Sequence, residues 1–340
     1  MKQPIYRFVP EVEALRGLAA LAVVHVHTIG DTNGKPLNVL VNGSGAVILF
    51  FVMSGFALAT QIRHDVPGWQ SYRSFIVRRL FRLMPIVWLS IALAAVIHVA
   101  AHKTPSFDPE ELISNALLYN FSLNAPLWSL YVELWCSVVF PLLFWLWRYF
   151  AIAGRAALLV MLILPIALLP ADIAASILIK WSLYLFCFAL GLFAAEYRDS
   201  FAGTPPLAMG ILVLGCALIA GSAGYWIESP GGIIVTQAFS YAVLLAVVLK
   251  ASDEGLFAFL RLRSIKFLGM ISFSLYALHY PLMEALWPTV THNVGLSLWH
   301  DALFVALVCT AVPVAYLTFS RIERPLNDVG KKLSNRLAVR

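Results

Sequence analysis

The chain has 340 residues, of which 61% are hydrophobic and only 12% charged, with 24 Lys and Arg against 18 Asp and Glu for a formal charge of +6. A soluble globular domain carries about 25% charged residues, so this composition excludes one. The mean hydropathy of +0.82 points the same way.

The apolar residues come in blocks of about 18 to 25, each long enough to cross about 30 Å of hydrocarbon as a helix. In chain order the blocks run about 10–29, 39–61, 83–101, 128–149, 154–171, 172–197, 206–226, 232–250, 265–287 and 299–320. This predicts an all-α, polytopic membrane helix bundle with about ten transmembrane helices. The stretches 69–81 and 110–124 are too short or too charged to span and are expected as interfacial helices or loops. An N-terminus inside leaves Arg63, Arg73, Arg78, Arg79, Arg82, Arg148, Arg155 and the C-terminal Lys and Arg on the inner side, with only Lys35 and Lys103 outside. Lys- and Arg-rich short loops stay cytoplasmic, so both termini are expected there. That topology accounts for the basic excess without nucleic acid as a partner, while anionic membrane lipid or a phosphorylated substrate fits the basic edge. A single membrane domain over 1–340, with a short basic cytoplasmic tail over 321–340, is the expected organisation. The first block lacks a small-x-small cleavage site and reads as a span, not a signal peptide. Four cysteines without C-x-x-C spacing indicate neither a disulfide framework nor a zinc site.

Ionisable residues inside such blocks are costly and usually face a cavity or a partner. Arg16 and His27 lie eleven residues apart in block one. Helical residues advance about 100° and 1.5 Å each, so eleven steps end roughly 20° from the start and about 16 Å along. The two share a face, and His25 should point elsewhere. In block two, the Gly and Ser residues from Gly45 to Gly55 read as close helix packing, and Ser54 lacks the G-x-S-x-G setting of a nucleophile. At the inner mouth of block three, Arg79 and Arg82 are one turn apart and can converge on one anion, with phosphate oxygens a good match for guanidinium. Snorkelling anchors explain them equally well.

Block four opens Trp128-Ser129-Leu130-Tyr131-Val132-Glu133. Glu133 lies five residues in, roughly 7–8 Å below the helix end, in the same outer half as His27. A carboxylate and an imidazole in a dry cavity make a general base with its orienting partner. The structural alternatives are a pair with Lys180 or a protonated carboxyl. In block nine, Tyr276 and His279 are three apart on one face, suited either to binding a hydroxylated acceptor or to a hydrogen-bonded core. His98, His102, His292 and His300 fall at outer ends or loops, and no histidine set has ligand spacing, so no metal is expected.

In this order the motifs resemble the acyltransferase 3 family of integral membrane acyltransferases, of the O-acyltransferase type. The matches are Arg16 and His27, Phe-Phe-Val-Met-Ser-Gly-Phe at 50–56, Arg-Leu-Phe-Arg-Leu-Met-Pro at 79–85, Trp-Ser-Leu-Tyr-Val-Glu at 128–133, Ile-Ser-Phe-Ser-Leu-Tyr-Ala-Leu-His at 271–279, and Glu323-Arg324-Pro325. One departure is visible: Ile48 stands where the family commonly has an Asp, in Gly-Val-Asp-Leu-Phe-Phe. The chain is expected to lack the SGNH-type domain that many bacterial members carry. The resemblance implies transfer of an acyl group, acetyl by default, from cytoplasmic acyl-CoA to a hydroxyl of a cell-surface polysaccharide or its lipid-linked precursor. A bacterial inner membrane is the implied location. Arg79 and Arg82 then hold the nucleotide phosphates, with Arg16 further along the donor path. His27 removes the acceptor's proton and Glu133 orients the ring. Trp128, Ser129, Tyr276 and His279 are the residues expected to meet the acceptor. A covalent acyl-histidine relay is the mechanistic alternative. The competing functions are a transporter or flippase for a lipid-linked sugar or small anion, and a silent membrane scaffold.

Overall fold

The structure is a computed structural model that describes residues 9–29, 42–62, 68–102, 108–168, 177–197, 200, 203–251, 257–293 and 299–339. Within these residues every regular element is helical. Each expected block coincides with a helix: α1 (Pro10–Ile29), α2 (Gly43–Gln61), α3 (Trp69–His102), α5 (Trp128–Tyr149), α6 (Ile152–Leu168), α7 (Ile177–Tyr197), α8 (Pro206–Trp226), α9 (Pro230–Ala251), α10 (Arg263–Asn293) and α11 (Trp299–Thr318). A short α4 (Pro109–Ala116) and a 3₁₀ turn (Ala125–Leu127) precede α5, and α12 (Arg324–Val339) closes the chain.

Among the described residues, six helical segments are long and apolar enough to cross a membrane by length and composition: Gly43–Gln61, Trp69–Ala100, Ala125–Tyr149, Pro206–Trp226, Pro230–Ala251 and His300–Leu337. This is an integral, multi-pass membrane protein. Helices α1 and α10 are not among the six, and these are the helices that carry His27 and His279. Polar and charged side chains dilute the apolar signal of the segment that holds them.

One expectation is corrected. Residues 69–81 are not a separate interfacial piece: α3 starts at Trp69 and runs 34 residues without a break. At 1.5 Å per residue that is about 51 Å, well beyond the hydrocarbon thickness. Along α3, Arg78 donates to Ser334 Oγ and Arg79 to Glu133. The C-terminal segment is helical. A π-helical turn over Phe319–Glu323 carries α11 into α12, and α12 docks on α3. Ser334 Oγ lies 2.6 Å from Ser74 Oγ, and Arg78 Nη1 donates to Ser334 Oγ at 2.9 Å. Gly330 sits against the Phe81 side chain, where a Cβ would collide.

The described residues form two compact units. One takes its residues from Met1–Ala19, Asn33–Pro67 and Trp135–Gly269, the other from Ala20–Thr32, Gly68–Leu134 and Met270–Arg340. In the first, α2 and α7 meet backbone to backbone. A Cβ on Gly55 would run into the Phe188 backbone, and one on Gly191 into that of Val52. Close approach is what small residues provide in membrane helices. Phe51 packs on Tyr184 and Phe188 across the same contact, while α1 and α10 touch where Gly17 meets Gly269. In the second unit, α4 is held to α3 by Trp88 Nε1, which donates to Ala116 O at 3.1 Å. The buried Glu323 of the π turn accepts from Ser274 Oγ of α10 at 2.6 Å.

Candidate active site

Within the second unit, polar side chains of α1, α3, α5 and α10 join in three contacts. The first is an ion pair: Arg79 Nη2 of α3 donates to Glu133 Oε1 of α5 at 2.5 Å, with the side chains only 4% and 11% exposed. Arg79 is ten residues into α3, about 15 Å from its start. It lies along the helical body, in contact with Glu133. A guanidinium is charged at every accessible pH and cannot shed its charge when buried, so it needs a counter-charge. Glu133 supplies it.

One turn back along α5 from Glu133 is Ser129, whose Oγ lies 2.6 Å from Tyr276 OH of α10. Both hydroxyls also reach Pro126 O, at 3.1 Å and 3.0 Å. Each hydroxyl has one hydrogen. One of the pair donates to the other, and the other donates to the carbonyl. The trio fastens the 3₁₀ turn ahead of α5 to α10. Ser129 and Tyr276 were expected at the acceptor; in the structure their hydroxyl hydrogens are used in this fastening. Trp128, the first residue of α5, is 37% exposed beside them.

One turn along α10 from Tyr276 is His279, completely buried. Its Nε2 lies 3.2 Å from His27 Nδ1 of α1, with ring centroids 5.0 Å apart. His279 Nδ1 is 2.6 Å from Tyr276 O, and His27 Nδ1 is 2.9 Å from Val23 O. A carbonyl oxygen only accepts, so both Nδ1 atoms carry the hydrogen. Neutral His279 then presents a bare Nε2 towards His27 Nδ1–H. Neutral His27 in turn has a bare Nε2, the lone pair a general base requires. Tyr280 sets its ring edge-on to both imidazoles, at 5.8 Å and 6.4 Å.

In the structure Glu133 bonds to Arg79, and the imidazole of His27 meets that of His279. Arg79 and Arg82 do not present an open pair of guanidinium groups to one anion, because Arg79 already meets the carboxylate. Arg82, one turn on and half-buried, has its Nε buried without a hydrogen-bond partner among the described residues. Lys180 lies outside the residues whose side chains are described. Arg16 is half-buried on the part of α1 that belongs to the first unit, next to the Gly17 contact. His25 packs edge-on against Phe304 of α11, 5.3 Å between centroids, away from the partners of His27.

Asn124 and Pro281 complete the site, and neither was singled out from the sequence. Proline lacks an N–H, so Pro281 inside α10 leaves Ala277 O without its helical donor. Asn124, fully buried just before the 3₁₀ turn, supplies the missing hydrogen bond through Nδ2 at 2.9 Å. The readable signal was the proline four residues after Ala277, which announces an orphan carbonyl two residues before the histidine. Its partner, 153 positions away, was not readable. Among the described residues no three His, Cys, Asp or Glu side chains are grouped to hold a metal ion.

An all-helical membrane protein with buried ionisable residues in its helices defines a class. The particular membership comes from comparison: the model of the acyltransferase 3 family, described as an acyltransferase domain, matches residues 9–319. The chain belongs to that family. It is 24% identical to a Bacillus subtilis (strain 168) protein named "Putative peptidoglycan O-acetyltransferase YrhL", over 98% of this chain and 57% of the relative. The chain thus spans a little over half the length of that relative. No solved structure matches it.

Proposed function

We propose that this protein is a membrane O-acyltransferase that takes an acyl group, acetyl by default, from acyl-CoA on the cytoplasmic side and passes it to a hydroxyl of a cell-surface polysaccharide or its lipid-linked precursor. The name of the Bacillus relative favours a peptidoglycan acceptor. The reading includes ten spans with both termini in the cytoplasm of a bacterial inner membrane, which the distribution of Lys and Arg supports. The observation that carries it is the bare Nε2 of His27 in a member of an acyltransferase family.

The reaction balances around that nitrogen. His27 Nε2 takes the proton of the acceptor hydroxyl as its oxygen attacks the thioester carbonyl carbon. The tetrahedral adduct collapses with cleavage of the C–S bond, the ester forms, and the thiolate leaves with the proton returned from His27. The nucleotide phosphates are assigned to Arg82, with Arg79 held one turn away by Glu133 and Arg16 serving the donor path from α1. Glu133 fixes the guanidinium of Arg79, a positioning role in place of the catalytic one expected from the sequence. Trp128 remains assigned to the acceptor side.

The test uses purified protein in liposomes with acetyl-CoA. Release of CoA thiol that rises when soluble peptidoglycan strands are added, with acetyl ester found on the strands by mass spectrometry, is the expected result. Uptake of a lipid-linked sugar without thiol release would replace this reading with the transporter.

A further inference from the structure

We propose that His279 is a positioning residue for acyl transfer, a neutral imidazole that does for His27 what a carboxylate does for the histidine of a hydrolase triad. The inference rests on the reading of His27 as the base.

Three observations lead to it. First, the hydrogen on His279 is placed by a main-chain carbonyl: Nδ1 lies 2.6 Å from Tyr276 O, which leaves Nε2 as an acceptor. That acceptor is 3.2 Å from His27 Nδ1. His27 Nδ1–H is thus shared between Val23 O and His279 Nε2, and both bonds hold the tautomer whose Nε2 is bare. When His27 takes a proton, the charge spreads over its ring and Nδ1–H becomes a stronger donor, with the lone pair of His279 already in place to receive it.

Second, the turn of α10 that carries His279 is fixed from outside the helix. Tyr276 is fastened by Ser129 and Pro126 O, and the next carbonyl, Ala277 O, by Asn124. The proline that opens this turn would otherwise leave it free to bend. Third, His279 is completely buried. A carboxylate there would itself need a counter-charge, as Glu133 does in its bond to Arg79, whereas a neutral ring orients its neighbour without adding a charge to the bundle.

The test compares four variants in liposomes, measuring thiol release from acetyl-CoA with soluble peptidoglycan strands present. Gln places an acceptor oxygen near the position of Nε2, while Asn reaches only the position of Nδ1. His279→Leu and His279→Asn are expected to lose kcat on the order of 10²-fold, with KM for acetyl-CoA within about threefold of wild type. His279→Gln should recover at least about tenfold of that loss. His279→Asn keeps a polar side chain that can still donate to Tyr276 O, so the contrast between Gln and Asn decides the matter even if the Leu variant fails to insert. Equal kcat for the Gln and Asn variants would overturn the proposal, as would a loss expressed in KM alone. His27→Ala separates the two levels. Full activity in that variant removes the base itself, whereas an inactive His27→Ala beside an unimpaired His279→Asn removes only the positioning role.

Discussion

In the first unit, α2 and α7 meet through Gly55 and Gly191, and two ion pairs among the described residues each keep one partner partly exposed. Arg261, bonded to the buried Glu11, is 46% exposed, and Glu196, bonded to Arg155, is 34% exposed. In the second unit the pair Arg79–Glu133 keeps neither partner there, and a chain of hydroxyl and imidazole contacts continues from it. The first unit spends its special residues on helix proximity. The second places a full charge pair where apolar side chains of similar volume would often be as stable or more so. The proposed function gives this costly pair a role beyond packing.

Breaking one partner of the buried pair should give the largest effect. Glu133→Ala leaves Arg79 without its counter-charge and should destabilise the protein by about 3–5 kcal/mol in thermal or denaturant unfolding in detergent. Joint replacement, Arg79→Met with Glu133→Leu, should restore most of that stability while activity stays low. If the double variant were fully active, the second unit's charge would have no functional meaning. Next, Arg82→Gln should weaken acetyl-CoA binding by about 10- to 100-fold, the scale of a charge-assisted hydrogen bond, at unchanged melting temperature. An unaltered affinity by calorimetry would remove Arg82 from the donor site.

In the first unit, Gly191→Ala should cost about 1–3 kcal/mol, since the new methyl meets main chain that cannot rotate away. Its per-molecule turnover, measured on the folded fraction, should stay near wild type. The smallest effect belongs to Arg155→Ala. That pair is partly solvated, although Arg155 also donates to Trp147 O and Tyr197, and a loss of no more than about 1 kcal/mol is expected. A large loss would mean that the two units differ less than their exposures suggest.

Much of this was legible beforehand. Apolar block length located the helices, with ends within about six residues except at α3, which starts at Trp69 where its block began near 83. Among the described residues, six segments are long and apolar enough to span. The eleven-residue spacing and the opposed direction of His25 follow from helix geometry alone. What failed was the choice of partner. Reading 69–81 as an interfacial piece cut α3 short. Glu133 was matched with the imidazole expected at its depth, whereas the structure gives it Arg79, a buried guanidinium that needs a counter-charge. Partnerships such as Asn124 with Ala277 depend on how distant segments fold together. No local pattern encodes them.

The most direct measurement is the turnover of acetyl-CoA with acceptor by His27→Ala beside wild type, in the same liposomes and at matched insertion. The account predicts a fall in kcat of about 10²–10⁴-fold with the melting temperature retained. A variant that inserts normally and turns over within about threefold of wild type would contradict it.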